Sequence, residues 1–386
     1  MDSPIVITGI GILSPLGIGI EETAAALCEG DSALQPCSRF APPPGCSPLC
    51  GEVPAFRAGE FLATPKAYLD RNSELLLAAT GMALRNAGID TASLAPERSG
   101  ILAGTAWAGQ DTMAAFFADY EQKGPRLVKP FLFPHTYFNT AISLAAMEWS
   151  LRGVHQSFAS GRIAAGQAIA EACDLLADNE ADVILAGGCE ALGPALFRLL
   201  AAQGVLKPAD NAAAPGLVPG EAGAMLVLER RNHATARGAK VLGTILGCGL
   251  SGCGVSPKPP SCVAARVSHA AAADTAAATV CGGSGDPALP AGTADAVASA
   301  LRQAGITASD LTLVVSSANG QASVDAAEAA VVGKCPVLSP ATLCGDTQGA
   351  CAALHLALAV LQAANGPVLV LATDAAGAAM AMVVRQ

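Results

Sequence analysis

The segment MALRNAGIDTASLAPERSGILAGTAWAG, beginning at Met82, is answered by SALRQAGITASDLTLVVSSANG, beginning at Ser299. In each, a helix ending in ALRxAGI leads through a polar turn to an apolar strand and then to small residues. A second pair follows in the same order, SGRIAAGQAIAEACDLLADNEADVILAGGCEA from Ser160 and QGACAALHLALAVLQAANGPVLVLATDAAG from Gln348. A third closes it, GAMLVLER from Gly223 and AAMAMVVRQ from Ala378. Loop insertions change the offsets, but the order of elements repeats. Such a chain is a duplicated α/β unit, with halves 1–235 and 236–386 and with VITGIGILS (from Val6) and GTILGCGLSG (from Gly243) as matching first strands. Helices alternating with buried strands predict mixed sheets covered by helices. The Pro/Gly/Cys-rich stretches 42–54 and 251–261 read as surface loops, and the Ala/Gly/Thr-rich run 270–290 as an insertion.

Composition narrows what can fill such a core. Hydrophobic residues make up 52% and charged residues 14%, which excludes a disordered chain. Aromatics are only 4% while Gly numbers 41, so the interior must be closed by near approach of backbones. A net charge of −10 excludes a broad phosphate-binding surface for nucleic acid. Arg126, Lys129, Arg152 and Arg162 fall in one short region, either as a local patch for a small acidic carrier or as scattered solvated charges. No apolar run has the character of a membrane span and MDSPIVITGIG has no basic leader, so the expectation is a cytoplasmic protein. Thirteen cysteines face five histidines. Cys173, Cys189 and Cys351 lie in apolar runs, which speaks against a disulfide framework. Cys28, Cys37, Cys46 and Cys50 cluster without CxxC spacing or a nearby His, which speaks against zinc. GIGILSPLGIG lacks the GxGxxG order of a dinucleotide site.

Five strings in order, VITGIGILSPLGIG, LRNAGI with ILAGTAWAG, NTAISLAAMEWSLRG from Asn139, ADVILAGGCEAL from Ala181 and the PGLVPGEAGAMLVLER run from Pro215, resemble the β-ketoacyl-carrier-protein synthases. The resemblance implies a thiolase-like fold, duplicated α/β halves in a five-layered αβαβα architecture, and a dimer. It implies no cofactor and no metal. Active members carry a Cys at the N-terminus of a buried helix, where the helix dipole favours the thiolate that attacks an acyl thioester. Two histidines then assist decarboxylation of the malonyl thioester. Aligned on QSFASG, Phe158 stands at the nucleophile, and no cysteine occurs between Cys50 and Cys173. In SSANGQASVDAAEAA, Asn319 stands at the first His and Gln321 at the following Thr; in SPATLCGDTQGACAA, Asp346 stands at the second His and Ala341 at the Lys. The glycine-rich string near the C-terminus reads AAGAAM from Ala375. A carboxylate at residue 346 would repel the malonyl carboxylate.

This pattern resembles the chain length factors, the ketosynthase-like β subunits of type II polyketide synthases. The resemblance implies a subunit without chemistry of its own, paired with an active ketosynthase, meeting acyl carrier protein mainly through that partner and shaping the acyl tunnel. Phe158, where relatives of the aromatic systems carry Gln, leans toward the polyene-making systems such as aryl polyene synthases. Gln110, Met113 and Phe117, spaced by three and four on one helical face, are tunnel-cap candidates by analogy, with ordinary core packing as the rival reading for the last two. Phe131, Leu132 and Phe133 fall where the family reaches toward its partner, or else form a loop covered within the monomer. His135, His155 and His355 are assigned structural roles, and Glu190 and Glu221 loop hydrogen bonding. Two other functions compete: a thiolase-fold acyltransferase or thioester hydrolase using Asp346 or Asn319, and a decayed acyl-binding homodimer.

Overall fold

The computed structural model describes residues 3–211, 213–252 and 288–386. The strands are β1 (Ile5–Ser14), β2 (Gly17–Ile18), β3 (Gln35–Pro36), β4 (Leu49–Cys50), β5 (Ser99–Gly104), β6 (His155–Phe158), β7 (Val183–Glu190), β8 (Ala222–Arg230), β9 (Gly243–Ser251), β10 (Leu313–Val315), β11 (Val337–Leu338), β12 (Val368–Thr373) and β13 (Ala379–Arg385). The α-helices are α1 (Ile20–Glu29), α2 (Arg71–Asn86), α3 (Gln110–Lys123), α4 (Thr140–Glu148), α5 (Ala164–Ala177), α6 (Pro194–Ala202), α7 (Arg231–Ala236), α8 (Ala288–Ala304), α9 (Ala322–Val332), α10 (Pro340–Cys344) and α11 (Cys351–Gln362).

The main sheet runs β11-β10-β12-β13-β9-β1-β8-β7-β5-β6. Counted outward from its centre, each arm repeats the other. β1 pairs antiparallel with β8, β8 antiparallel with β7, and β7 and β6 lie parallel to β5. In the second arm β9 pairs antiparallel with β13, β13 antiparallel with β12, and β12 and β11 lie parallel to β10. The strand pairs that the sequence repeat matches (β1 and β9, β5 and β10, β7 and β12, β8 and β13) take equivalent places. The arms join through three residue pairs, Ile5 with Ile245, Val6 with Thr244 and Ile7 with Gly243.

Five layers result. α2 and α4 cover the outer face of the first arm, α5 and α11 lie between the arms, and α8 covers the outer face of the second. α11 is buried continuously from Cys351 to Val360, the pattern of a helix enclosed on all sides. Each fully buried Leu or Val there contributes about 1.5–3 kcal/mol. Small residues make the layering possible. A Cβ on Gly9 or Gly11 of β1 would overlap the carbonyls of Ala83 or Ala79 in α2, and a Cβ on Gly247 or Gly249 of β9 would overlap those of Ala300 or Ala296 in α8. The same helix-on-strand approach is thus built twice, which explains a large core with few aromatics. α2 is started by Asp70, whose carboxylate accepts from the Ser73 amide at 3.0 Å.

One loop expectation changes. The stretch 42–54 is not wholly surface: β4 pairs with β3, and Cys50 packs with Leu192, Leu196, Phe197, Leu200 and Leu217 because its apolar residues close a small satellite core. The 251–261 loop and the 270–290 insertion lie almost entirely outside the described residues, except that 288–290 open α8. Among the described residues, no helix is long and apolar enough to cross a membrane.

Candidate functional site

Arg162 lies in the 3-10 turn Gly161–Ile163 that opens into α5, and it is 4% exposed. Each of its three guanidinium nitrogens has an acceptor. Nε donates to Asp346 Oδ1 at 3.3 Å, one terminal nitrogen to the Thr373 carbonyl at 2.6 Å and the other to the Ser317 carbonyl at 2.7 Å. Asp346, 2% exposed, also accepts from Asn319 Nδ2 at 2.6 Å and from the Gln348 amide and Nε2, both at 3.0 Å. Asn319 Nδ2 further donates to Gln321 Oε1 at 3.0 Å. The residues that the alignment puts at two catalytic histidines therefore meet, but as parts of a closed ion-pair network. Ser317 connects it to another buried carboxylate, since its amide donates to Glu328 Oε2 at 2.8 Å.

Phe158 ends β6, half-buried, and packs on the cluster around α5 and α11. Its carbonyl accepts from the Thr105 amide at 3.0 Å, so it contributes backbone rather than side-chain chemistry. Ala341 is half-buried on α10 and lines a surface groove shared with Asn319. The thiols nearest this network are not activated. Burial pushes both Cys351, whose Sγ donates to the Arg162 carbonyl at 3.1 Å, and Cys344 up to about 12, leaving them protonated thiols. Elsewhere Cys37, Cys50 and Glu52 converge within 4.8 Å, a proximity created by the β3–β4 hairpin. Glu52 is paired with Arg39 at 3.0 Å and accepts from Ser38, and burial raises the pKa of both thiols.

The segment between β5 and α3 leads away from the network. Glu190, at the end of β7, is fully buried and accepts from the amides of Ala106 at 2.6 Å, Trp107 at 3.1 Å and Gly349 at 3.2 Å and from Thr105 Oγ1 at 3.2 Å. Burial raises its pKa to about 7 against the pull of those donors. Glu221, also buried, pairs with Arg71 at 2.8 Å and Arg39 at 2.9 Å. On α3, Gln110 Nε2 donates to the Trp107 carbonyl at 2.8 Å, which gives that amide its partner. Met113 is half-buried, whereas Phe117 is 54% exposed and so is not core of this chain.

Phe131 and Phe133 are exposed, while Leu132 between them is 8% exposed. The monomer covers only the middle residue of that run. Ring contacts join Phe117 to Phe116, Phe116 to Phe133 and Phe133 to Tyr137, forming an aromatic face. It extends to β6, where Ser157 Oγ donates to the Phe138 carbonyl at 3.2 Å and the sheet ends with His155 and Gln156 exposed. The four-residue basic patch does not form. Arg162 is interior, Lys129 lies 3.9 Å from Asp119 and Arg152 lies 3.8 Å from Glu97. Sequence reasoning missed Arg162 as the centre of the network, and missed Trp107 and Gln348 altogether; the signal available was a lone Arg heading an otherwise apolar helix.

His355 is buried in α11, with Nδ1 3.3 Å from the Leu371 carbonyl, and burial lowers its pKa to about 4. The unfolded chain takes up this proton first, so the stability associated with the neutral ring is complete above about pH 6.5 and is lost as pH falls toward 4. Replacing His355 with Leu should flatten the decline in unfolding free energy between pH 7 and 4.5 by up to about 3 kcal/mol. Equal slopes in urea titrations of the two proteins would refute this.

A layered, duplicated α/β body whose central helices begin at a buried polar centre is a thiolase-like architecture. The family model for the β-ketoacyl synthase N-terminal domain matches residues 2–234. The chain is 30% identical over 379 residues to the tetracenomycin polyketide synthase ketoacyl synthase beta subunit of Streptomyces glaucescens, covering 93% of this chain and 85% of that one. It is 32% identical over 271 residues to 3-oxoacyl-[acyl-carrier-protein] synthase 2 of Rhizobium meliloti (strain 1021), covering 64% of each. The chain thus spans less than two thirds of the length of several synthases it matches. Among solved structures, the ishigamide ketosynthase/chain length factor superposes with a TM-score of 0.85 at 22% identity over the whole of both chains. A ketosynthase in complex with its chain length factor from Xenorhabdus doucetiae gives 0.75 at 18% identity, covering 99% and 98%. The chain belongs to the β-ketoacyl synthase family.

Proposed function

We propose that this chain is a ketosynthase-like subunit without condensation chemistry of its own, a chain length factor that pairs with an active ketosynthase in a type II polyketide system of the cytosol. The observation that carries this reading is the Arg162–Asp346 ion pair. It lies at the head of α5 and engages Asp346, the residue at the position of the second catalytic histidine by resemblance. The likeness to a ketoacyl synthase beta subunit along nearly the whole chain supports it. So does the aromatic face beside the open edge of β6, an arrangement that in water favours a covering partner. The halves 1–235 and 236–386 would meet the partner mainly through the first, with acyl carrier protein engaged through the ketosynthase. A polyene-type product remains the preferred class, on the ground of Phe158. The rival hydrolase is disfavoured, because Asp346 spends its lone pairs on Arg162, Asn319 and Gln348 and has none free to activate water.

The test is co-expression with the ketosynthase encoded beside it, followed by size exclusion. A stable lone homodimer with no affinity for that ketosynthase overturns the reading. Within the complex, Phe117→Ala or Met113→Ala should lengthen the product and Gln110→Trp should shorten it, since side-chain volume at the tunnel end limits chain growth by collision. Identical product lengths in all three variants, measured by mass spectrometry, would exclude these residues from the tunnel.

A further inference from the structure

We propose that Glu190 and Gln348 are positioning residues that fix Gln110 and the start of α3. The inference rests on the reading of Gln110, Met113 and Phe117 as the tunnel end. A continuous set of hydrogen bonds runs from the buried ion pair to that helix. Asp346 Oδ2 accepts from Gln348 Nε2 at 3.0 Å, Gln348 Oε1 accepts from Trp107 Nε1 at 3.5 Å, and the Trp107 carbonyl accepts from Gln110 Nε2 at 2.8 Å. Glu190 clamps the same segment from below. One carboxylate gathers donors from Thr105, Ala106 and Trp107 on one side and from Gly349 on the other.

The two loops it joins touch backbone to backbone, because a Cβ on Gly349 would overlap the Ala106 amide. Both also hold a non-glycine residue in the left-handed region, Ala108 at φ 54° and Gln348 at φ 47°. Such conformations persist only where surrounding bonds over-determine them. Here the bonds are visible: the Ala108 amide donates to Thr105 Oγ1 at 3.0 Å and the Gln348 amide to Asp346 Oδ1 at 3.0 Å. Asp346, where the resemblance puts a catalytic histidine, is thus tied through Gln348 and Trp107 to the chain's own tunnel candidate.

The inference is tested in the complex with the ketosynthase, with Trp149→Phe leaving Trp107 as the sole tryptophan of this chain. Glu190→Gln keeps the size of the side chain but presents an NH2 group to donors. Gln348→Asn keeps an amide and tolerates the left-handed backbone, yet is too short to reach Trp107. The expected result is a complex that still assembles and still makes product. In it the Trp107 emission shifts, the Ala106 and Trp107 amides exchange about tenfold faster, and the product distribution moves by an extension unit or more. Unchanged emission and exchange in both variants overturn the inference, whatever the products do. Unchanged product lengths in these variants, while Phe117→Ala alters length, overturn it as well. If emission and exchange change but no variant, Phe117→Ala included, alters length, the positioning of Trp107 stands and the tunnel-end reading falls.

Discussion

Replacing Arg162 with leucine is expected to destabilise the chain by about 3–5 kcal/mol, the range for removing one partner of a buried ion pair. Asp346 would be left at 2% exposure without its ion-pair partner, with only neutral donors from Asn319 and Gln348. The carbonyls of Thr373 and Ser317 would lose their donors at the same time. Arg162→Lys should fall between, because a single ammonium keeps the charge but not the planar fork that reaches three acceptors. The double change Arg162→Leu with Asp346→Leu should recover part of the loss, since it removes the unpaired charge. Urea denaturation distinguishes the cases. If Arg162→Leu costs less than about 1 kcal/mol, as a solvated surface pair would, the network does not hold the helix head.

The duplication was legible because ALRxAGI and the strands after it are local patterns, and local patterns survive loop insertion. That β1 and β9 meet was visible only as a matched pair of glycine-rich strands. Their junction involves three residue pairs, too few to mark in sequence. The polar centre was less legible. Asp346 and Asn319 were singled out by alignment, but Arg162 was grouped with Arg126 and Lys129 because it is near them along the chain. Its real partner is 184 residues away, and burial rather than sequence distance decides which charges meet. The run Phe131, Leu132, Phe133 shows the same limit on a small scale: three apolar neighbours read alike, yet a 3-10 segment turns the middle one inward and the outer two to the surface. Cys37 and Cys50 likewise lacked a motif and were brought together by a two-residue ladder.

Introducing the thiol and two imidazoles at the positions that the resemblance assigns to them, Phe158→Cys with Asn319→His and Asp346→His, is expected to give a weakened chain and no condensing enzyme. Residue 158 ends β6, with its carbonyl held by Thr105, and the polar atoms at the head of α5 are committed to Arg162 and its partners. A histidine at 346 removes the anion that balances a guanidinium of 4% exposure and sets a second potential cation beside it. The cost should again be about 3–5 kcal/mol. A thiol at 158 gains a thiolate only if nearby positive charge lowers its pKa, and the buried Arg162 already directs its donors to Asp346, Thr373 and Ser317. The triple variant, incubated alone with acyl and malonyl carrier thioesters, should therefore show neither acyl transfer to residue 158 by intact-mass measurement nor condensed product. Condensation by that variant would mean that the ion pair is a late occupant of a catalytic frame still intact. Its absence, together with rescue of stability on returning Asp346 alone, would show that the helix head has been rebuilt around Arg162.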